Sequence, residues 1–494
     1  MPFEFIDNTT AIDRAARRRI RTHAATGKNA NRTLTRTSKA IILKDNVTTP
    51  FFPPTSIRKA RRSANHNPAD AEIEIERPIG DGARFPIPVP ARSKGLVRET
   101  LLFFCNAKYN PELVGALENP DSMKSIWVRY FFIDEAYFHC SVATSILCSK
   151  NLVGESTQGM YHIARTYRII QERLMSREEA TSDMTIAILV AMSQYERLQG
   201  QYERGYVHVQ GLRRMVELRG GVKRFGTECV GVIQKVLRAD LEYALQLGSR
   251  TLFGFEGIEY LRLLHRLGID YGREGRDQTN NIEVDSSLQK RLRADLRASF
   301  AEARCLAAML NDAGAGYRQR LGAEEFHNTI ILLGYCLLHI GPLDHSSEPD
   351  ACLMSSMSTL EGAIHLGLIA FLVTFLRGLD HRIADKPLLS HRLQLTIQKL
   401  SLSVEAGQEN QTVKSVLLWT LFIGAVVVFK PTDDEWLIPI TNTAMKALEL
   451  STWEDVKQVL AGFPWVNALH DRTGAVLCST QKFLGIPTQP EQVL

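Results

Sequence analysis

The sequence has 494 residues, of which 45% are apolar, 23% charged and 8% aromatic. That length holds two or three ordinary domains, or one large helical domain with a tail, and that composition excludes a wholly disordered chain. The net charge of +5 is unevenly spread: residues 1–62 carry 14 Lys/Arg against 4 Asp/Glu, so a basic arm precedes a near-neutral body.

The arm, 1–44, opens with MPFEFIDNTT and then arginines rather than an apolar stretch, so no secretory leader is expected. Arg14, Arg17, Arg18 and Arg21 fall at i, i+3, i+4 and i+7. A helix here would display four guanidinium groups on one face, a pattern that suits phosphate backbones because each contact releases counterions. Like charges at that spacing also oppose an isolated helix, so the competing expectation is a solvated, largely disordered arm. A second cluster, Arg58, Lys59, Arg61 and Arg62, resembles a nuclear-import signal of the Lys-x-Arg-Arg kind. Phe51 and Phe52 precede this cluster rather than alternate with it, so the interleaving that favours single-stranded nucleic acid is absent.

Residues 45–94 hold eight of the nineteen prolines. Proline at that density removes amide donors and holds the chain extended, so this segment is expected to be a linker. GDGARF lies there with Phe85 where a dinucleotide fingerprint needs its third glycine, and no strand precedes it.

From Gly95 to the end, helix is expected to follow helix. Predicted segments are 122–148 and 159–175, then a run from Asp183 that is apolar almost all round, as in a helix buried on most sides. After Gly200, Tyr202, Tyr206, Val209, Leu212 and Val216 share one helical face, with Arg214 and Glu217 largely off it. Gly220 and Gly221 should end that helix, because glycine adopts the left-handed conformation a C-cap prefers. The pair forms a helical hairpin with a short turn. Further helices are expected over 289–310, 325–340, 361–377, 388–402, 413–429 and 435–450, with surface loops near 273–287, 341–351 and 405–411. Two apolar runs, 363–376 and 415–429, fall short of the roughly 20 residues a bilayer crossing needs, so core helices and no membrane contact are expected. The expected fold is all-α: a large multi-helix domain of packed helical hairpins behind a basic, largely disordered arm.

The familiar catalytic spacings are missing. GESTQG carries one residue too many for a G-x-S-x-G elbow, and neither H-E-x-x-H nor G-x-x-x-x-G-K-[ST] occurs. The eight cysteines form no C-x-x-C pair and mostly sit in apolar runs, which suits buried reduced thiols. His139 and His162 lie on apolar helices and are expected to be satisfied core residues. Asp134 and Glu135, as helical neighbours, would face about 100° apart, wrong for shared acid–base work. Asp433, Asp434 and Glu435 precede an apolar helix and suit a cap and dipole role. No catalytic, metal-binding or cofactor-binding residue is therefore assigned, and no enzyme is expected.

The stretch HVQGLRRMVELRGGV (208–222) resembles the fungal-specific transcription factor domain, the helical regulatory region that follows the binuclear zinc cluster in many fungal regulators. YHIARTYRIIQERL (161–174), LLWTLFIGAVVV (417–428) and STWEDVKQVLAGFPWV (451–466) are similar to its preceding helix, late core helix and terminal element, in that order. ARRRIRTHAATGKN (16–29) is similar to a basic segment preceding the domain in many cluster-less relatives. The zinc cluster needs six closely spaced cysteines, whereas the first cysteine here is Cys105, so DNA reading by that module is not expected. The resemblance implies a nuclear transcription regulator or coregulator whose helical domain binds other transcription proteins, an effector or a second copy of itself. Non-specific DNA contact would fall to the basic arm. A cytosolic helical scaffold without nucleic-acid contact is the alternative, and it gives the two arginine clusters no evident use. An enzyme in an unfamiliar helical fold would require a deep pocket with convergent histidines and strongly shifted carboxylates.

Overall fold

The computed structural model describes residues 85–89, 93–106, 111–119, 125–148, 156–271, 286–344, 357–376, 386–406, 410–430 and 433–480. All belong to one unit spanning Ala83–Leu494. The basic arm lies outside the described residues, as do residues 273–285 of the loop expected at 273–287, whose last two residues instead open a helix, and the GESTQG residues 154 and 155.

The described residues form nineteen α-helices. The first ten are α1 (Lys94–Asn106), α2 (Ser125–Ile133), α3 (Glu135–Cys148), α4 (Ser156–Leu174), α5 (Arg177–Ala180), α6 (Asp183–Leu198), α7 (Tyr202–Leu218), α8 (Gly221–Glu228), α9 (Val230–Leu247) and α10 (Gly254–Tyr271). They are followed by α11 (Ser286–Arg291), α12 (Ala294–Gly314), α13 (Ala323–Ile340), α14 (Thr359–Phe375), α15 (Pro387–Glu405), α16 (Gln411–Val427), α17 (Asp434–Ala447), α18 (Trp453–Leu460) and α19 (Asn467–Thr480). Extended pairing among these residues is limited to two short parallel segments, Leu117–Glu118 and Leu321–Gly322. The fold is all-α.

Hairpins supply the architecture. α3 packs on α4 and α6 on α7, while α14 packs on both α15 and α16. The turn between α6 and α7 is three residues long, short as the sequence pattern predicts, and Gly200 within it takes the left-handed region at φ 73°. Val209, Leu212 and Val216 of α7 are buried and Tyr206 is half-buried, so the expected face is the core face; Met215 joins it. From there α9 packs on α6 and α13, and α13 on α14, which joins the two ends of the domain through a continuous row of buried helices. α14 and α16 are the apolar runs 363–376 and 415–429, buried along most of their length as core helices. No described helix is long and apolar enough to cross a membrane.

Local chemistry fixes the ends. Ser358 and Glu361 close a reciprocal capping box on α14, and Thr452 and Asp455 do the same on α18, each satisfying two otherwise orphaned backbone amides. Several boundaries differ from expectation for visible reasons. Segment 122–148 is two helices broken at Asp134, whose Oδ1 accepts the Tyr137 amide at 2.8 Å and whose Oδ2 pairs with Arg173 at 2.7 Å. Asp134 and Glu135 therefore do not share one helix; Glu135 turns instead to Arg165 at 2.9 Å. Segment 289–310 likewise divides between α11 and α12. Gly220 and Gly221 end α7 in the left-handed conformation as expected, at φ 93° and 88°, and lead directly into α8. Asp433 does not cap α17 with its side chain: its Oδ2 accepts the Lys430 amide at 2.8 Å and closes the preceding turn.

Candidate functional site

The eight arm residues singled out from sequence, Arg14, Arg17, Arg18, Arg21, Arg58, Lys59, Arg61 and Arg62, lie outside the described residues. The four segments that carry the resemblance within the body all lie on helices of the one unit. Segment 161–174 is the bulk of α4, and 208–222 runs along α7 through the glycine pivot into α8. Segment 417–428 lies in α16 and its C-cap, Val428, and 451–466 contains α18 and the turn after it. The last two pack on each other. Trp419 of α16 stacks on Phe463 with ring centroids 5.3 Å apart, and its indole N–H donates to the Pro464 carbonyl at 3.2 Å. Trp453 of α18 stacks on Phe422. On α7, Arg213 and Arg214 both pair with Glu217 in solvent, whereas Arg219 reaches Asp183 at 2.9 Å and Glu228 at 2.7 Å and lies over the Phe225 ring.

Titratable groups concentrate in three places. The first is inside the domain, along α9, where fourteen successive residues from Val232 to Leu245 are buried, charged ones included. Glu242 accepts from Arg197 of α6, from Arg238 Nε at 2.9 Å and from Gln194 Nε2 at 3.1 Å. Burial alone would push this carboxyl up; the two guanidinium groups overcome that and hold it at about 2. Two residues earlier, on a different side of α9, Asp240 accepts from the amides of Leu252 and Phe253 and from the Tyr335 hydroxyl at 2.7 Å. Those bonds only partly offset burial, which pushes Asp240 up to about 6. Lys386 donates to Gln246 Oε1 at 2.6 Å, and burial together with nearby Arg197 brings its ammonium down to about 7. This network joins α6, α9, α13 and α15 by ion pairs and hydrogen bonds.

The second is the contact between α3 and α4. His139 and His162 share a hydrogen bond between their Nδ1 atoms at 2.7 Å, with Glu135 Oε1 3.8 Å from His139 Nε2. Burial pushes both rings down to about 4. Each thus meets a ring partner at the helix interface, the satisfied packing role expected of them.

The third is a cleft of about 430 Å3. α10 and α12 both pack along α13, and the space between them is floored by Leu332, Leu333, Cys336 and Ile340. Arg262 and His265 of α10 face Glu302 of α12, with His265 Nε2 3.4 Å from Glu302 Oε1. Burial raises the Cys336 thiol, while Arg262, which hydrogen-bonds it, lowers it. His265 and His339 line the cleft, but the buried carboxyls with strongly shifted affinities, Asp240 and Glu242, lie outside it. Sequence reasoning missed this site because its polar residues come from three separate helices. The one local signal is Arg262 and His265 three apart on one helical face. Among the described residues no group of three or more His, Cys, Asp or Glu is placed to hold a metal ion.

No protein-family model, no curated protein and no solved structure matches the chain.

Proposed function

We propose that this chain is a nuclear transcription regulator or coregulator that acts through contacts of its helical domain, with the basic arm serving for import and for non-specific contact with DNA. The observation that carries the reading is the ordered set of segments similar to the fungal-specific transcription factor domain. Within that set, 417–428 and 451–466 form one packed unit through Trp419, Phe463 and Pro464. Two arginine-rich clusters ahead of such a body suit a polyanion and an import receptor better than they suit a scaffold. The proposal assigns no catalytic residue.

The test is the cellular location of the tagged full-length protein and of its Arg58→Ala, Lys59→Ala, Arg61→Ala, Arg62→Ala variant. Nuclear accumulation that the four substitutions abolish is the expected result. Unchanged nuclear residence of the variant refutes the import role of the cluster. Cytosolic residence of the unaltered protein under all conditions refutes the regulator reading and favours the scaffold.

A further inference from the structure

We propose that the cleft between α10 and α12 binds a small neutral molecule, with an apolar body and one hydroxyl or carboxamide group. Its volume of about 430 Å3 lies in the range of small-molecule sites, and apolar side chains make most of its surface. Phe255 stands at the mouth with 57% of its surface exposed, a large ring left uncovered beside an apolar floor of Leu332, Leu333 and Ile340. A flat hydrocarbon body seated there would cover both.

The polar end sets the ligand class. Both ring nitrogens of His265 are buried from water and make no hydrogen bond; Glu302 is 3.4 Å away but off the line such a bond needs. A buried polar group without a partner is unfavourable, so a ligand that supplies one gains what the empty fold forgoes. The surrounding charges are of both signs. Arg262 and Glu302 act in opposite directions on the same thiol, that of Cys336, so both stand beside it. An anionic head seated beside His265 would be held against the like charge of Glu302, and a cationic one against that of Arg262, with part of its hydration lost in either case. A hydroxyl or carboxamide can donate to or accept from His265 and accept from Arg262 without either penalty. This inference stands apart from the regulator reading, since it uses only the residues of the cleft.

Three probes with one body and different heads decide the matter: 2-(2-naphthyl)ethanol, 2-naphthylacetic acid and 2-(2-naphthyl)ethylamine. Binding of each to the full-length protein is measured by calorimetry. Alkylation of each cysteine by iodoacetamide is followed by peptide mass spectrometry with and without probe. The alcohol should bind at least about tenfold more tightly than the acid or the amine. At saturation it should slow alkylation of Cys336 at least about fivefold and leave Cys229, outside the cleft, unchanged. Ala298→Phe, which fills the cleft from the exposed side of α12, should abolish both effects, and His265→Leu should weaken binding of the alcohol at least about fivefold. The proposal is overturned if the alcohol does not bind, if the acid or amine binds as well as the alcohol, or if Cys336 is not protected. Comparison of the three probes on the unaltered protein decides the ligand class even where a variant does not fold.

Discussion

Replacing Glu242 by Gln should destabilise the helical domain by about 3–5 kcal/mol, the usual cost of removing one partner from a buried ion pair. The same magnitude follows from the site itself. Holding this carboxyl at about 2 rather than its ordinary 4.5 corresponds to roughly 3 kcal/mol in favour of the charged form. Glutamine keeps the shape but leaves Arg197 and Arg238, each nearly buried, to face one another and Lys386 without the intervening negative charge. The assay is urea unfolding at pH 7 followed by tryptophan fluorescence, with Trp419 as a fully buried reporter. Glu217→Gln, which breaks the exposed pairs with Arg213 and Arg214, is the control and should leave the midpoint in place. A triple replacement, Arg197→Met, Arg238→Met, Glu242→Leu, should recover most of the loss, because removing all the charges also removes their desolvation cost. A Glu242→Gln protein within about 1 kcal/mol of the parent would refute the reasoning. It would mean that the two guanidinium groups find other partners or water.

Stability should fall as pH drops from about 6.5 toward 4, because the unfolded chain protonates His139 and His162 near their ordinary value while the folded chain resists until about 4. His139→Gln removes one of the titrating rings and should make the pH dependence of the urea midpoint shallower over that interval; an unchanged slope contradicts the assignment. Gly367→Ala should cost about 1–3 kcal/mol, since a Cβ there would stand 2.6 Å from the Trp419 ring, which is locked between Phe463 and the Pro464 carbonyl. A thermal midpoint equal to that of the parent would show that the contact between α14 and α16 yields without cost.

The fold was legible where one face of a helix differs from the other or where a whole helix is apolar. α7 announces itself by Tyr206, Val209, Leu212 and Val216, and α14 and α16 by their long, mostly apolar runs. α9 shows why the rest was not. The sequence pattern predicts no helix over 230–247, where Gln234, Lys235, Arg238, Asp240 and Glu242 interrupt the period of the leucines and valines between them. In the fold these same residues are buried: Glu242 meets Arg197, Asp240 meets Tyr335 and Gln234 meets Asn328 at 2.8 Å, all on other helices, Lys235 lies over the Trp127 ring, and Arg238 pairs with Glu242 on α9 itself. Polarity in sequence signals exposure only while no complementary group is at hand, and complementarity between positions 45 to 95 residues apart leaves no local trace.

The same separation explains the cleft and bears on what it is for. A helix buried on all sides by ion pairs and hydrogen bonds fixes the distance between its neighbours, and α9 does this for α6 and α13. α13 in turn packs against both α10 and α12, and these two meet across the cleft at His265 and Glu302 without a hydrogen bond between them. Most polar side chains in the network along α9 are paired within the protein, although Arg197 Nε and Gln234 Oε1 make no hydrogen bond; His265 differs from these in that its two unbonded ring nitrogens adjoin an open cleft. A satisfied network specifies a single arrangement; an unsatisfied one at a surface cavity is a place where an external group can complete it. His265 is therefore the residue at which binding and stability should be coupled, and a ligand that satisfies its ring should raise the unfolding midpoint with the logarithm of its concentration over its Kd.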